Sequence, residues 1–389
     1  MLPAEERVCQ DHPGPFAPAA LVKMMRPVSR AASNRLPRRS FAVLAKVRSA
    51  LEEAGVRDCR ILAGVSGGGD SMALLLMLAE LASSLHLEVE VLCVDHGLRA
   101  EAATEQQLVA EACSRTGFPF HLARVTPEDD SEDACRRHRH AALAQAATEH
   151  GCRWIVLAHT ADDQIETIVL RFLRGAGLGG LAAMDPVSDR VVRPLLDVRR
   201  CELRSFLIER RQMWADDATN LSDRYARGRL RTGVLPAIER SFGEGVLTHL
   251  LESSRHWRRD HWFLEIEAAR LEAYCVRRGR NGNAEIELAS VMDAHIALRA
   301  RVVRRWLTGL GMSGAPDASY VEQVLAMIEA GSGASGIDLP GVRVWCENGR
   351  LVGARAGDET SPMGTIGGRS GVLPPAKGRV RLRRVTKKS

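Results

Sequence analysis

The sequence has few aromatic residues and no long apolar run. Aromatic residues make up only 4% of the 389 residues, so a core must be built mainly from Leu, Val, Ile and Ala. The longest apolar run, Met72–Ala79, is far shorter than the ~18 residues that a membrane span needs. This excludes a membrane protein. With 45% hydrophobic and 26% charged residues, the composition also excludes a mostly disordered chain.

Paired cysteines are absent as well. The nine cysteines are scattered and none forms a C-x-x-C pair, which excludes an ordinary zinc ribbon or sulfur-cluster motif. A disulfide framework is not expected in a chain of this length. We therefore expect most of the cysteines to be small buried hydrophobic residues in a reducing compartment.

The net charge of +6 is unevenly distributed. Residues 368–389 carry eight Lys or Arg and no acid, and residues 190–240 carry twelve Arg against seven acids. Such clusters attract polyanions, and nucleic acid is their usual partner. A solvated basic surface is the alternative, and charge alone does not exclude it.

The length predicts two or three domains. Residues 1–40 contain six prolines and no regular period, which indicates a disordered basic leader; an organelle transit peptide or an upstream start codon are alternatives. An α/β region covers 41–240, and a mostly helical region covers 241–335. Residues 336–389 are predicted to form a short hairpin, centred on Glu347-Asn-Gly349, and a flexible basic tail.

Four strand-like runs alternate with helical patterns in the α/β region. These runs are Arg60–Val65, Glu88–Val94, Phe120–Val125 and Trp154–Ala158. Strands separated by helices predict βαβ units and hence a doubly wound, mainly parallel, Rossmann-like sheet. Ligands of such sheets bind at the carboxyl ends of the strands, so the candidate site lies in the loops that follow them.

A glycine loop follows the first of these strands and opens the first helix. It consists of Ser66, Gly67, Gly68, Gly69, Asp70 and Ser71. Consecutive glycines can turn their N–H groups toward an anion, and the helix N-terminus adds partial positive charge. Asp70 would repel a phosphate unless a divalent cation such as Mg²⁺ lay between them. The bland alternative is a tight strand–helix turn with a serine cap.

Further segments follow in a fixed order. The most specific are Val94-Asp-His-Gly-Leu-Arg99, Leu157–Thr167, Arg174–Leu181, Arg193-Pro-Leu-Leu196 and Arg224–Arg231. The loop S-G-G-x-D-S resembles that of the N-type ATP pyrophosphatases (PP-loop superfamily). The ordered set, over about residues 60–240, resembles the tRNA(Ile)-lysidine synthase family. Three positions depart from that family's pattern: Cys135, His140 and Gly228.

The resemblance implies a specific reaction. Members of the family are ATP-dependent ligases that form a carbon–nitrogen bond between L-lysine and C2 of the wobble cytidine in the CAU anticodon of one isoleucine tRNA. ATP adenylates the C2 oxygen, and the lysine amine then displaces AMP. Amino-acid specificity changes from Met to Ile. The resemblance also implies a bacterial cytoplasmic location, with ATP and Mg²⁺ as cofactors.

The resemblance assigns roles to particular side chains. Ser66–Ser71 would hold the ATP phosphates, with Asp70 on Mg²⁺. Asp163 and Glu166 would bind the lysine ammonium, and which of them acts as general base is left open. The remaining candidates are His159 to position the base, Arg136 and Arg174 to neutralise charge, and Arg227 and Arg231 to contact tRNA. Each of these residues also has a purely structural explanation: the acids could lie on a solvated helix face, the histidine could be a capping residue, and the arginines could form ordinary ion pairs.

Two other functions compete with this one. A 2-thiocytidine synthetase-like PP-loop enzyme would use cysteines that this chain does not place in a recognisable site. A non-catalytic tRNA-binding protein would have no need to keep Asp70, Asp163 and Glu166. The sequence leaves open the oligomeric state, a homodimer included, and the discrimination against tRNA(Met). For the basic tail, residues 368–389, our hypothesis is contact with the tRNA backbone.

Overall fold

The structure is a computed structural model. It describes residues 38–95, 97, 102–126, 128–129, 131–215, 226–278, 283–314, 316–331, 336–356 and 381–384. The chain divides into two compact units, one of residues 1–254 with 375–389 and the other of residues 255–374. The predicted leader, 1–40, lies outside the described residues except for 38–40, which open a helix.

The first unit alternates helices and strands, as predicted. Its described elements are α1 (Arg38–Glu53), β1 (Arg60–Gly64), α2 (Gly69–Leu85), β2 (Glu88–Asp95), α3 (Ala102–Thr116), β3 (Phe120–Arg124), α4 (Glu132–Glu149), β4 (Trp154–Leu157), α5 (Ala161–Leu173), α6 (Leu178–Leu181), β5 (Val187–Ser188), β6 (Val191–Val192), α7 (Arg200–Glu209), α8 (Ala226–Arg229), a π-helix (Leu230–Val234), α9 (Leu235–Phe242) and the start of α10 (Val246–Cys275). The four predicted strands are confirmed to within a residue or two at each end.

The strands of this unit form one seven-stranded sheet. Its order is β12-β3-β2-β1-β4-β6-β5, where β12 is Arg381–Arg384. β1 is parallel to both β2 and β4, and β2 is parallel to β3. The doubly wound, mainly parallel prediction is therefore confirmed. The chain reverses its direction of winding at β1, so the loops after β1 and β4 lie side by side at the carboxyl edge.

Side chains of β1 alternate between two apolar cores. Ile61 and Ala63 pack in the core shared with α1, α2, α3 and α7, whereas Leu62 packs in the core under α4. All three side chains are fully buried. Because successive residues of a strand point to opposite faces, the apolar run of β1 follows from burial on both faces.

Two features of this sheet differ from the sequence predictions. β5 and β6 have two residues each, which is too short for a period to be detected, so the region after 185 was predicted without strands. Residues 381–384 fall in the tail that was predicted to be flexible. They form β12, antiparallel to β3, where the edge strand offers unpaired backbone groups to any added strand. The rest of the tail lies outside the described residues.

The second unit combines helices with a five-stranded antiparallel sheet. Its described elements are the remainder of α10, then β7 (Val276–Arg278), β8 (Ala284–Glu287), α11 (Leu288–Met292), α12 (Ile296–Gly309), α13 (Ala318–Ala330), β9 (Ile337–Leu339), β10 (Val342–Glu347) and β11 (Arg350–Arg355). The sheet order is β7-β8-β11-β10-β9. The region 241–335 is mostly helical, as predicted. The short strands β7 and β8 within it, and β9 after it, were not predicted, because three or four residues carry no clear period.

The predicted hairpin is confirmed as β10 and β11. Asn348 and Gly349 both have positive φ, at 50° and 75°, which is the backbone that a two-residue turn between antiparallel strands requires. The hairpin is not a separate appendage. Val344 and Leu351 are buried in the same core as Trp306 of α12 and Val324 of α13.

No helix among the described residues is long and apolar enough to span a membrane. The eight cysteines in the described parts of the chain are all free thiols, and Cys93, Cys113, Cys152 and Cys275 are buried. Burial is the main cause that raises the pKa of Cys93 and Cys113 to about 12. This confirms their interpretation as small hydrophobic residues.

Candidate active site

The glycine loop lies between β1 and α2. Ser71 Oγ donates a hydrogen bond to the Gly68 carbonyl at 2.9 Å and accepts one from the Ser66 N–H at 3.2 Å. Gly68 is the N-cap of α2 and has no side chain to satisfy the first N–H groups of that helix. The loop is therefore held from inside by Ser71, while the helix N-terminus keeps donors for an anion.

The backbone of this loop requires glycine at one position in particular. Gly67 has φ +89°, and a Cβ there would lie 3.0 Å from both the Cβ and the carbonyl oxygen of Glu105. The positive φ or the close contact with Glu105 would each be enough to strain any other residue type at position 67. The Gly67 carbonyl also accepts a hydrogen bond from the Ala215 N–H at 3.0 Å, which ties the loop to the segment after α7.

Two carboxylates come from the first turns of α5, which follows β4. Thr160 is the N-cap and forms a capping box with Asp163, in which Asp163 Oδ2 accepts from the Thr160 N–H at 2.8 Å. The box orients Asp163 and leaves its Oδ1 for another partner. Glu166 lies one turn later on the same helix face, with a side chain only 2% exposed.

Arg200 joins these two acids to Asp70 of the glycine loop. Its Nε donates to Asp70 Oδ2 at 3.1 Å, its Nη1 donates to Glu166 Oε1 at 2.8 Å, and its Nη2 contacts Asp163 Oδ1. One planar guanidinium thus contacts three carboxylates from two different loops. We call Asp70, Asp163 and Glu166 the acidic triad.

Glu166 has a second basic partner. Arg231, in the π-helix, donates through Nε to Oε1 at 2.9 Å and through Nη2 to Oε2 at 3.0 Å. The bidentate geometry matches the fork of a guanidinium to a carboxylate. The triad and its two arginines carry three negative and two positive charges, so one negative charge remains for a further cation.

The pKa shifts show how strongly the triad depends on Arg200. Burial raises the pKa of Asp70, and the attraction of Arg200 only partly offsets this because Asp163 and Asp162 repel the charge. For Arg200, burial acts to lower the pKa, but Asp163, Glu166 and Asp70 together outweigh it and raise the pKa above its usual value. Arg200 therefore keeps its positive charge, and the three carboxylates of the acidic triad share its hydrogen bonds.

A basic cluster surrounds His159 on the other side of Thr160. Burial lowers the pKa of His159 to about 3, with further contributions from Arg193, Arg139, Arg136 and His140. The His159 Nδ1 is buried and has no hydrogen-bond partner among the residues that the structure describes. His159 is thus a neutral imidazole with a free ring nitrogen next to positive charge, which suits contact with a base or a phosphate.

The structure separates the other predicted arginines. Arg136 belongs to the cluster around His159. Arg174 is exposed at the C-terminal cap of α5, about 16 Å along that helix from Asp163. Arg227 lies on α8. Burial is the main cause that lowers the pKa of Arg171, and the positive charges of Arg136 and then Arg227 add to this effect. Arg231 contacts Glu166, as described above.

Parts of the predicted site lie outside the described residues. Asp95 ends β2 at the carboxyl edge and accepts a hydrogen bond from the Gly97 N–H at 2.8 Å. His96, Arg99 and the segment Asp216–Asn220 are not described.

Sequence reasoning missed Arg200. It is the first residue of α7, shortly after the noted Arg193-Pro-Leu-Leu196 segment, where an arginine is usually a charge on the helix surface. Its carboxylate partners lie 34, 37 and 130 positions away. One signal was available: three acids predicted at one sheet edge need a positive charge nearby.

We predict that His159 makes the protein more sensitive to acid. Its pKa is about 3 when folded against 6.5 for an ordinary histidine, so the unfolded state binds more protons between those values. The free energy of unfolding should fall as the pH drops below about 6.5. In His159→Gln this fall should be smaller, as measured by urea unfolding between pH 7 and pH 4. The control is His138→Gln, which removes a histidine that pairs with Glu128. The pH dependence of its unfolding should follow that of the wild type.

Comparisons with known proteins place the chain in a family. A model of the PP-loop domain matches residues 41–238, and a model of the TilS substrate binding domain matches residues 286–352. The chain is 35% identical over 289 residues to the tRNA(Ile)-lysidine synthase of Solibacter usitatus (strain Ellin6076), covering 73% of this chain and 65% of that protein. It is 36% identical to that of Polaromonas naphthalenivorans (strain CJ2), covering 68% of this chain and 79% of that protein.

Among solved structures, the U34-tRNA thiolase NcsA from Methanococcus maripaludis matches with a TM-score of 0.50 and 14% identity, over 57% of this chain and 79% of that one. This likeness concerns the fold alone. The sequence matches are more specific, because this one chain matches both the PP-loop domain and the TilS substrate binding domain. The chain belongs to the tRNA(Ile)-lysidine synthase family.

Proposed function

We propose that this protein is the ATP-dependent ligase that joins L-lysine to C2 of the wobble cytidine in the isoleucine tRNA with a CAU anticodon, in the bacterial cytoplasm, with release of AMP and pyrophosphate. The observation that carries the proposal is the acidic triad. Three carboxylates converge on one cation directly beside a loop built to bind an anion. A reaction between ATP and a positively charged amino acid needs both halves of such a site.

ATP is expected to bind through its phosphates at the glycine loop. The loop N–H groups and the start of α2 supply donors and partial positive charge, and no side chain at Gly68 blocks the helix end. Ser66 is exposed, so its hydroxyl can donate to a phosphate oxygen, whereas Ser71 is committed to the loop itself. Attack of the cytidine C2 oxygen on the α-phosphorus then expels pyrophosphate and makes AMP the leaving group.

The acidic triad also fits a magnesium ion. Carboxylate oxygens are preferred Mg²⁺ ligands, and Asp70 comes from the loop that would hold the phosphates. Asp70 would hold the ion. When bound, the ion would screen the charge of the phosphates.

Lysine is expected to bind through its side-chain amine at Asp163 and Glu166. The contacts of Arg200 show that one positively charged nitrogen group can reach both carboxylates. The lysine ammonium would replace part of these contacts. Attack on C2 requires a neutral amine, so one proton must leave first. Asp163 is the better acceptor, since its side chain is 23% exposed and Glu166 is held by two arginines.

The neutral ring of His159 and the basic cluster beside it would position the nucleotide. His159 directly precedes the N-cap of α5, so base positioning and lysine binding are set by the same turn. The free Nδ1 can accept or donate one hydrogen bond to the cytidine, and Arg136 can pair with a phosphate.

The test is ATP-dependent incorporation of radiolabelled lysine into bulk bacterial tRNA. We expect incorporation with the wild type and at least a ~1,000-fold loss in Asp70→Ala, because the site loses its ion ligand at the phosphates. Pyrophosphate release without lysine incorporation would instead favour a PP-loop enzyme with another nucleophile. No turnover at all would favour the non-catalytic tRNA-binding protein.

A further inference from the structure

A second cluster of metal-ligating side chains lies at the opposite, amino edge of the same sheet. It consists of Glu90 on β2, His121 on β3 and His150 at the C-terminal cap of α4. One ligand atom from each of the three lies within 4.8 Å of the others. Glu90 is about 17 Å along β2 from Asp95 at the carboxyl edge, so the cluster is separate from the candidate active site.

The two imidazole rings lie against each other. Their centroids are 4.1 Å apart with planes inclined by 31°, and His121 Nε2 is 2.7 Å from Glu90 Oε2. The His121 side chain is only 6% exposed and that of Glu90 16%. Each of these three side chains offers a nitrogen or oxygen donor of the kind that binds zinc and similar metals.

The carboxylate of Glu90 has little compensation from its surroundings. Its described hydrogen bond is to one imidazole, that of His121. Arg60 interacts with Glu90 electrostatically, but its guanidinium forks onto Glu88 through Nε and Nη2. A mostly buried carboxylate beside two imidazoles is the environment that a divalent cation balances.

We propose that Glu90, His121 and His150 form a binding site for a divalent transition-metal ion of the zinc class, with water as a fourth ligand. The ion binds the Nε2 lone pair of His121, so the hydrogen between Nε2 and Glu90 is displaced to Nδ1 of the same ring, and a second ring proton, where present, leaves to solvent. The two atoms then move apart from 2.7 Å to about 3.3 Å, the edge of a tetrahedron with bonds of ~2.0 Å. His150 closes the site by a small rotation.

The metal would act as a structural link. It would join β2 and β3 to the turn between α4 and β4, since His150 lies in that turn and its carbonyl already accepts a hydrogen bond from Arg60 at 3.1 Å. The ligand set is two histidines and one glutamate, with one open position.

The test is titration of the metal-free protein with Zn²⁺, and with Co²⁺ for its visible absorption bands, in excess Mg²⁺ to fill the oxygen-only acidic triad. We expect one ion per chain, and at least a ~10-fold weaker affinity in His150→Gln and in His121→Gln. His150→Gln keeps the backbone contacts of the buried strands, so it reports on ligation even if His121→Gln is unstable.

A matched control is available in the same unit. His138 Nε2 lies 3.0 Å from Glu128 Oε2, a histidine–glutamate pair that is outside the cluster. His138→Gln should bind Zn²⁺ as the wild type does. A wild-type protein that binds no Zn²⁺ under these conditions, or a His150→Gln variant with wild-type affinity, would overturn the proposal and leave an ion pair only.

Discussion

Asp163→Asn is expected to lower kcat/KM for lysine by about 1,000-fold while ATP–pyrophosphate exchange stays within about threefold of the wild type. Asparagine has nearly the shape of aspartate and is a good partner at a helix start, so the hydrogen bonds with Thr160 and the start of α5 should persist. What disappears is the negative charge that faces Arg200. Truncating one partner of a partly buried charge pair costs about 2–5 kcal/mol, which corresponds to the expected loss.

Asp162→Asn is the matched control for this change. Asp162 is the preceding residue and has a similar exposure, but its side chain contacts Arg199 Nε at 3.1 Å and the Arg200 N–H rather than the guanidinium of Arg200. Lysine transfer by this variant should stay within about threefold of the wild type. Equal losses of exchange and transfer in Asp163→Asn would assign Asp163 to the ATP step and contradict lysine binding there.

Arg200→Ala is expected to lower the free energy of unfolding by about 3 kcal/mol at pH 7. Asp70 and Asp163 would lose the guanidinium that they contact, and the almost fully buried Glu166 would keep Arg231. Burial already raises the pKa of Asp70, and loss of the attraction of Arg200 raises it further, so the folded state binds more protons as the pH falls and the deficit should shrink toward pH 4. Urea unfolding at several pH values measures this directly.

Two further variants separate charge balance from simple truncation. Arg199→Ala removes the neighbouring arginine, whose partner is Asp162, and should cost about 1 kcal/mol or less. Adding Asp70→Asn to Arg200→Ala should recover part of the loss, because Asp70 is the acid whose described basic partner is Arg200, and its charge would then be gone. A deficit that is independent of pH and unchanged in the double variant would show that Arg200 acts by packing alone.

The effect of millimolar Mg²⁺ on thermal unfolding gives an independent comparison of Arg200→Ala with the wild type. If the acidic triad is a cation site, the ion should raise the midpoint of thermal unfolding more in Arg200→Ala than in the wild type, because the guanidinium no longer competes for the carboxylates.

Local pattern was enough to predict the sheet and much of the site. The central strands β1 and β4 are mostly apolar because both of their faces are buried, and this pattern is visible without any knowledge of the neighbouring strands. The glycine loop and the acids Asp163 and Glu166 each follow one of these strands, and parallel strands bring their carboxyl ends to one edge. The meeting of Asp70 with the two acids of α5 was therefore implied by the order of the elements.

Elements that depend on distant partners were not predictable in this way. β5, β6 and β12 form because an existing sheet edge offers hydrogen bonds, and their two to four residues carry no period of their own. The same holds for β7 and β8, which complete the antiparallel sheet that the predicted hairpin begins. The region 241–335 is mostly helical, as predicted, but these two short strands within it were not predicted.

The sequence by itself determined the fold class, the glycine loop and the positions of the three acids, since each follows from a local pattern of residues. Only the tertiary structure decided which cation faces those acids, that His159 is neutral, and that Glu90, His121 and His150 meet at the far edge. Charge pairing and burial are set by groups 28 to 130 positions apart in the chain. Those separations are closed only when the sheet assembles, so no local pattern records them.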